Sequence, residues 1–383
     1  MNIKLRDSSF LIKIFQFLFL TGVLLLQFYL YDSGTLQPSH ILFLISFFII
    51  VTIKGFSNFV ISNKNFSRLL RFIFITIIIN GFYSITHSNL DFLISSSHYI
   101  FGIITTYLTI FILFKFGKKN IFLIILFSTL FILFILWFLG LGEYKFLPRY
   151  NGFFNDPNQM AHWALCTLVM IVLLNDKYQY LNYISLLLTS IIIFLSLSRS
   201  GLMGLFVVFF IVFIPSKKNI LLITTIIFIF FIIYSSFSFS DNQILESFDN
   251  IITRLSESDF NDQADARGYN RVFQYPEYLV LGSGQAEDYR FKSDFEIHST
   301  WMAILFYYGI FTFSYFLFIL HKIFVNLTFT QIGVIMGPLF YGFSTFGLRT
   351  PVFWMLLGVI IFKSIENNLV KKKKLLIQQL HTQ

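Results

Sequence analysis

Apolar stretches of about twenty residues recur from one end of this 383-residue chain to the other. Crossing a hydrocarbon core of ~30 Å takes about 20 apolar residues in a helix, so each stretch reads as a transmembrane helix. Approximate spans are 9–31, 41–58, 68–86, 98–116, 121–140, 159–174, 182–198, 200–215, 220–238, 299–319, 326–345 and 351–368. The charged fraction agrees, since 12% is about half of the ~25% usual in soluble proteins. The chain is therefore read as an all-α integral membrane protein of about twelve helices, forming a single polytopic domain over 1–383.

Charge placement then fixes the expected orientation. The net charge of +9 could suggest nucleic acid, but Lys and Arg sit in short clusters between apolar spans, where orientation signals belong. Lys4, Arg6, Lys54, Lys64, Arg68, Lys118, Lys119, Lys177, Lys217, Lys218, Lys322 and Lys371 to Lys374 all fall on one side if the helices alternate. The loops around 32–40, 86–97 and 346–350 are nearly free of them. The positive-inside rule puts both termini in the cytoplasm. The N-terminal apolar run lacks a small-residue cleavage site and is expected to stay as the first helix. The single cysteine, Cys166, excludes an intramolecular disulfide and a cysteine metal cluster.

Two loops on the opposite side are long, 141–158 and about 240–298, the second between helices nine and ten. Basic residues on that side are Lys145, Arg149, Arg199, Arg254, Arg267, Arg271, Arg290, Lys292 and Arg349, mostly arginine where the cytoplasmic set is mostly lysine. A guanidinium is a planar fork suited to bidentate phosphate contacts. The bias points to an anionic substrate handled at the outer surface.

Three regions concentrate this chemistry, the last of them in two parts. FLSLSRSGLMG sets Arg199 in a tight turn between two apolar helices, where an unpaired arginine costs up to ~2.5–3.5 kcal/mol on insertion scales; snorkelling to the headgroups is the plainer explanation. LPRYNGFFNDPNQMAHW (147–163) carries Arg149, Asp156 and Asn158 just before helix six, with Phe153 and Phe154 expected to be exposed. Capping alone would account for Asp156 or Asn158. ARGYNRVFQYPEYLVLGSGQ (266–285) and EIHSTWMAILFYYGI (296–310) carry Arg267, Arg271, Glu296 and His298, the last at the mouth of helix ten. Asp265 could cap a short helix through Arg271 and Phe273, ended by Pro276 and the GSG turn. Asp259, Asp262 and Asp265 could hold a cation weakly, yet spaced loop carboxylates are more often a solvated face, and no metal is expected. No cofactor motif is present.

SLSRSG, RYNGFFNDPN, the R…YP…LGSG segment and HST followed by YGI resemble, in order and spacing, the O-antigen ligase and polymerase superfamily. The resemblance runs from about 147 to 310. It implies a GT-C-like helical fold in the bacterial inner membrane and a metal-independent inverting glycosyl transfer at its periplasmic face. It further implies an undecaprenyl-pyrophosphate-linked glycan donor, a glycan acceptor and a chain-length regulator as partners. Arg199, Arg267 and His298 match the family's catalytic positions, although Ser299 stands where Asn is frequent and Ser200 precedes Gly201. Fixed arginines would stabilise the leaving pyrophosphate. His298 would be the first candidate base, with Glu296 and Asp156 behind it, and Arg149, Asn158 and Arg271 would bind substrate. Tyr150, Phe153, Phe154, Tyr269 and Tyr275 could stack on sugars. A polymerase of repeat units is the leading reading and a ligase to lipid A core the runner-up. A lipid-linked oligosaccharide flippase predicts charges inside many helices, which this chain lacks.

Overall fold

Where the sequence is apolar the backbone is helical. The computed structural model describes residues 10–31, 35–54, 63–213, 267–286, 289–291 and 296–381. In chain order the helices are α1 (Phe10–Leu25), α2 (Pro38–Lys54), α3 (Lys64–His87), α4 (Asp91–Phe114), α5 (Lys119–Phe138), α6 (Pro157–Leu174), α7 (Gln179–Ser196) and α8 (Arg199–Phe213). After the undescribed stretch come two short helices, α9 (Asn270–Gln274) and α10 (Tyr278–Leu281), then α11 (Thr300–Phe324), α12 (Phe329–Tyr341) and α13 (Pro351–His381). Among the described residues seven helices are long and apolar enough to cross a membrane, and four apolar ones are shorter. Every expected span except 220–238 contains a helix; that span, like Asp259, Asp262 and Asp265, lies outside the described residues.

The two largest differences from the expected boundaries have identifiable reasons. α4 begins at Asp91, seven residues before the apolar run, because its serines are used inside the bundle. Ser96 Oγ donates to the Phe92 carbonyl and accepts from Asn80 Nδ2 at 3.0 Å. α13 continues past residue 368, since its lysine run contains no helix breaker and lysine has good helix propensity. The short helix expected after Asp265 begins at Asn270 and stops before Pro276, which cannot continue it.

α6 is apolar on all sides and buried along nearly its whole length, as a helix at the centre of a bundle must be. α5, α7, α8, α12 and α13 surround it. α8 and α12 meet backbone to backbone: a Cβ on Gly337 would stand 2.7 Å from the Gly204 carbonyl oxygen, and one on Gly204 2.9 Å from that of Gly337. Small residues at a helix crossing permit this approach in an apolar environment. It sets the distance between Arg199, one turn above Gly204, and the end of α12.

α11 is broken at Gly309, whose φ of 78° and ψ of 168° belong to a region essentially reserved for glycine. The break frees carbonyls in the preceding turn, and the LGSG segment occupies the opening. Ser283 N donates to the Phe306 carbonyl at 3.0 Å and Gly284 N to the Tyr307 carbonyl at 2.9 Å. Buried backbone needs such partners. The approach is close enough that a Cβ on Gly309 would lie 2.4 Å from the Val280 carbonyl oxygen. Gln285 anchors the segment on the other side, where its N–H meets Asn80 Oδ1 at 2.9 Å and its Oε1 accepts from Tyr99 and Tyr308. Arg290 closes it, donating to the Ser283 carbonyl at 2.8 Å with its guanidinium 5.0 Å from the Phe92 ring. The described part of the long loop is thus packed into the bundle.

At the far end of α6, Asp176 joins Lys363 (2.9 Å) and Lys119, and Glu366 bonds Lys363 at 2.7 Å. Burial raises the Asp176 carboxyl, but the two ammonium groups outweigh it and hold it below its ordinary value.

Candidate active site

The turn SLSRSG is built to project Arg199. Leu197 ends α7 in the left-handed region, and Ser198 Oγ accepts from Gly201 N, capping α8. The same hydroxyl lies 2.9 Å from Tyr341 Oη, which donates to the Asn158 carbonyl at 2.7 Å. Ser198 therefore ties α8, α12 and the start of α6 together, and Arg199 at the first position of α8 points away from that knot. It faces a cavity of about 690 Å³.

That cavity also receives Arg267. Between the two arginines and the bundle its wall is apolar, formed by Met203, Val207, Met302, Phe340 and Phe343. Tyr269, at the rim, donates to the Phe343 carbonyl, which fixes the loop over the end of α12. Two cations in the wall of a mainly apolar cleft suit an anionic head carrying an alkyl tail.

His298 lies next to Arg267, since its backbone N–H donates to the Arg267 carbonyl at 3.1 Å. Residue 298 is open to solvent in part, while Ser299 and Thr300 beside it are buried and structural. Ser299 caps α11 by accepting from Met302 N. Thr300 Oγ1 donates to the Thr345 carbonyl at 2.8 Å and accepts from Gly347 N, holding the α12–α13 connection against the start of α11. Partial enclosure lowers the His298 pKa below 6.5; Asp156 pulls it upward, and Arg349, Arg267 and Arg271 push it down further. The imidazole is neutral near pH 7 and able to accept a proton.

Glu296 sits behind His298. Burial raises its carboxyl above the usual range, against the opposing pull of Arg349, Gln285 and Arg271. Arg349 Nη2 makes a direct ion pair with it, and Gln285 Nε2 lies at 3.4 Å. Arg271 is buried, and its positive charge acts on both Glu296 and His298. In the sequence Arg349 stands only among the basic residues expected on the outer side, with no role assigned; its place in a loop otherwise almost free of basic residues is the available signal.

The third motif is mainly a brace. Asp156 Oδ1 caps α6 at Asn158 N, with Pro157 at the first helical position. Arg149 donates from Nε to the Ser196 carbonyl at 2.9 Å and from Nη2 to Asn158 Oδ1 at 2.8 Å. It thereby links the loop to the turn that presents Arg199. Phe153 and Phe154 are not exposed, contrary to expectation. Phe154 is fully buried between Tyr29 and Trp163, and the Phe153 ring lies tilted 5.4 Å from that of Phe28, because the loop folds back over the ends of α1 and α6. Tyr150 is buried as well, with its hydroxyl on the Leu141 carbonyl. Among the described residues no group of three or more His, Cys, Asp or Glu side chains is arranged to hold a metal ion.

The helices and the site define a multi-pass membrane protein whose polar chemistry gathers where several helices end. Residues 184–317, about a third of the chain, match the family model described as O-antigen ligase. The matched stretch includes Arg199, Arg267, Arg271, Glu296 and His298; Arg149, Asp156, Asn158 and Arg349 lie outside it. No curated protein matches the chain.

Proposed function

We propose that this protein is a surface-polysaccharide polymerase of the inner membrane, joining undecaprenyl-pyrophosphate-linked oligosaccharide repeat units at the periplasmic face. The observation that carries the reading is the cavity shared by Arg199 and Arg267, whose remaining lining is mainly apolar, with His298 hydrogen-bonded through its backbone to Arg267.

The donor's pyrophosphate lies between the two guanidinium groups, and its isoprenoid chain runs along Met203, Val207, Phe340 and Phe343. A hydroxyl of the acceptor glycan attacks the anomeric carbon from the face opposite the pyrophosphate. The C–O bond to phosphate breaks, its electron pair leaves on the phosphate oxygen, and the hydroxyl proton passes to the neutral His298 imidazole. Charge grows on the leaving oxygens as the bond breaks, where prepositioned cations stabilise the transition state most. Attack from the opposite face inverts the anomeric centre. Arg271 and Glu296 orient the surroundings of His298, and Arg149, Asp156 and Asn158 brace the turn that presents Arg199. The arginines do the electrostatic work that a divalent cation does in many sugar-nucleotide enzymes, so the transfer is metal-independent.

The ligase reading shares this site and differs only in the acceptor. Deleting the gene and displaying surface polysaccharide on a gel separates the two. Collapse of the ladder to a single-repeat band supports the polymerase; long lipid-linked chains beside bare lipid A core support the ligase. Membranes carrying the protein are expected to keep transferring glycan in EDTA. Loss of transfer that magnesium or manganese restores contradicts the metal-independent step.

A further inference from the structure

A second cavity, of about 380 Å³, opens where the α1–α2 connection, α4, the start of α6 and the start of α13 come together. Its walls carry Gln37, His40, His98, Gln159 and Arg349, with Tyr29 and Phe101 as aromatic surface. Small-molecule sites commonly have this size and this mixture of ring faces with a few placed polar groups.

The two cavities are complementary in charge. The first offers two cations and little other polarity. In the second, Arg349 is the cationic residue that lines the wall, and it is committed to Glu296. What remains is a set of neutral donors and acceptors beside aromatic faces, which suits a hydroxyl-rich, uncharged guest rather than a phosphate. His40 adds a specific need. Its Nδ1 accepts from Gln37 N at 3.3 Å, which places the ring proton on Nε2, and that buried atom has no hydrogen-bond partner among the described residues. An unpaired buried donor is costly, and a guest hydroxyl relieves it. Gln37 itself is spent on the connection, accepting from Leu30 N and Tyr31 N, so it shapes the wall.

Arg349 joins the two sites, since it lines the second cavity and pairs with Glu296, two residues before His298. A guest in the second cavity therefore lies against Arg349, whose partner Glu296 is two residues from His298.

We infer that the His40, His98 and Gln159 cavity binds the accepting glycan as an uncharged carbohydrate, separately from the lipid-linked donor. This deepens the polymerase reading and rests on it.

The test uses the full-length protein in nanodiscs with two probes, undecaprenyl pyrophosphate and the oligosaccharide released from the organism's own surface polysaccharide. Two variants alter the cavity in different ways: His98→Ala removes a polar group, and Ser97→Trp fills the space from the rim. Both are expected to weaken oligosaccharide binding by tenfold or more, with undecaprenyl pyrophosphate binding within twofold of the parent. Arg199→Ala is expected to do the reverse. Unchanged oligosaccharide binding in both cavity variants, with thermal unfolding like the parent's, overturns the acceptor assignment. Equal loss of both probes overturns it too, because the sites are then not separate. Unchanged undecaprenyl pyrophosphate binding in Arg199→Ala counts against the donor cleft instead, so the two failures are told apart.

Discussion

Replacing Gly309 by alanine probes how the site is held. A Cβ at that position meets the Val280 carbonyl oxygen at 2.4 Å, on a backbone conformation that alanine does not readily adopt. Holding a non-glycine residue there costs ~1–3 kcal/mol. If α11 straightens instead, Ser283 N and Gly284 N lose the Phe306 and Tyr307 carbonyls, at about 0.5–1.5 kcal/mol net for each bond. Either route gives a penalty of roughly 1–3 kcal/mol concentrated on the LGSG segment. That segment carries Gln285, and through it Glu296, so the loop loosens before the bundle does. Gly309→Ala is expected to reach the membrane, to melt at lower temperature in detergent, and to be cut by protease within 276–290 where the parent resists. Glycan transfer falls with the loss of protection. A variant with the parent's melting temperature and protease resistance refutes the inserted-loop argument, whatever its activity.

The lowered pKa of His298 sets a pH profile. A base whose pKa lies below 6.5 is unprotonated at neutral pH, so the acid limb of transfer should have its midpoint below pH 6.5; a midpoint above that value contradicts the assignment. Arg267 is one of the charges that depress it, so any residual activity in Arg267→Ala should show that limb moved toward higher pH. Arg149→Ala removes charge-assisted bonds to Ser196 and Asn158, each worth ~1.5–3 kcal/mol. Its loss of activity should come with a lowered melting temperature, whereas Arg199→Ala should melt like the parent; equal melting of the two denies Arg149 its bracing role.

The apolar runs were legible as helices because lipid forces such runs to a fixed length. Each run except 220–238 contains a helix, and seven helices among the described residues are long and apolar enough to cross a membrane. The convergence of Arg199 and Arg267 on one cleft could be anticipated from scarce arginines on one side of an alternating chain. Other features depend on contacts between distant segments and leave no local pattern. Asn80 bonds Gln285 and Tyr308, Arg349 meets Glu296, and the second cavity draws on five separate parts of the chain. Local reasoning also misjudged Phe154. An aromatic residue in a polar loop looks exposed until the loop is seen folded over Tyr29 and Trp163. The serines of α4 misled in the same way, since their partner Asn80 lies on another helix.

The central claim is that two arginines hold the donor's pyrophosphate while glycan is transferred. The most direct measurement is the transfer rate from an undecaprenyl-pyrophosphate-linked oligosaccharide by purified Arg199→Ala, Arg267→Ala, Arg199→Lys and Lys145→Ala at matched protein. Removing a donor aimed at developing negative charge typically costs ~2.7–4 kcal/mol, so each alanine variant at the arginines should be slower by about 10²–10³. Lysine should restore little at 199, because a point charge does not reproduce the planar fork. Lys145, exposed and paired at 3.3 Å with Glu143, should matter hardly at all. Rates for Arg199→Ala and Arg267→Ala comparable to that of Lys145→Ala would contradict the pyrophosphate clamp, and with it the mechanism.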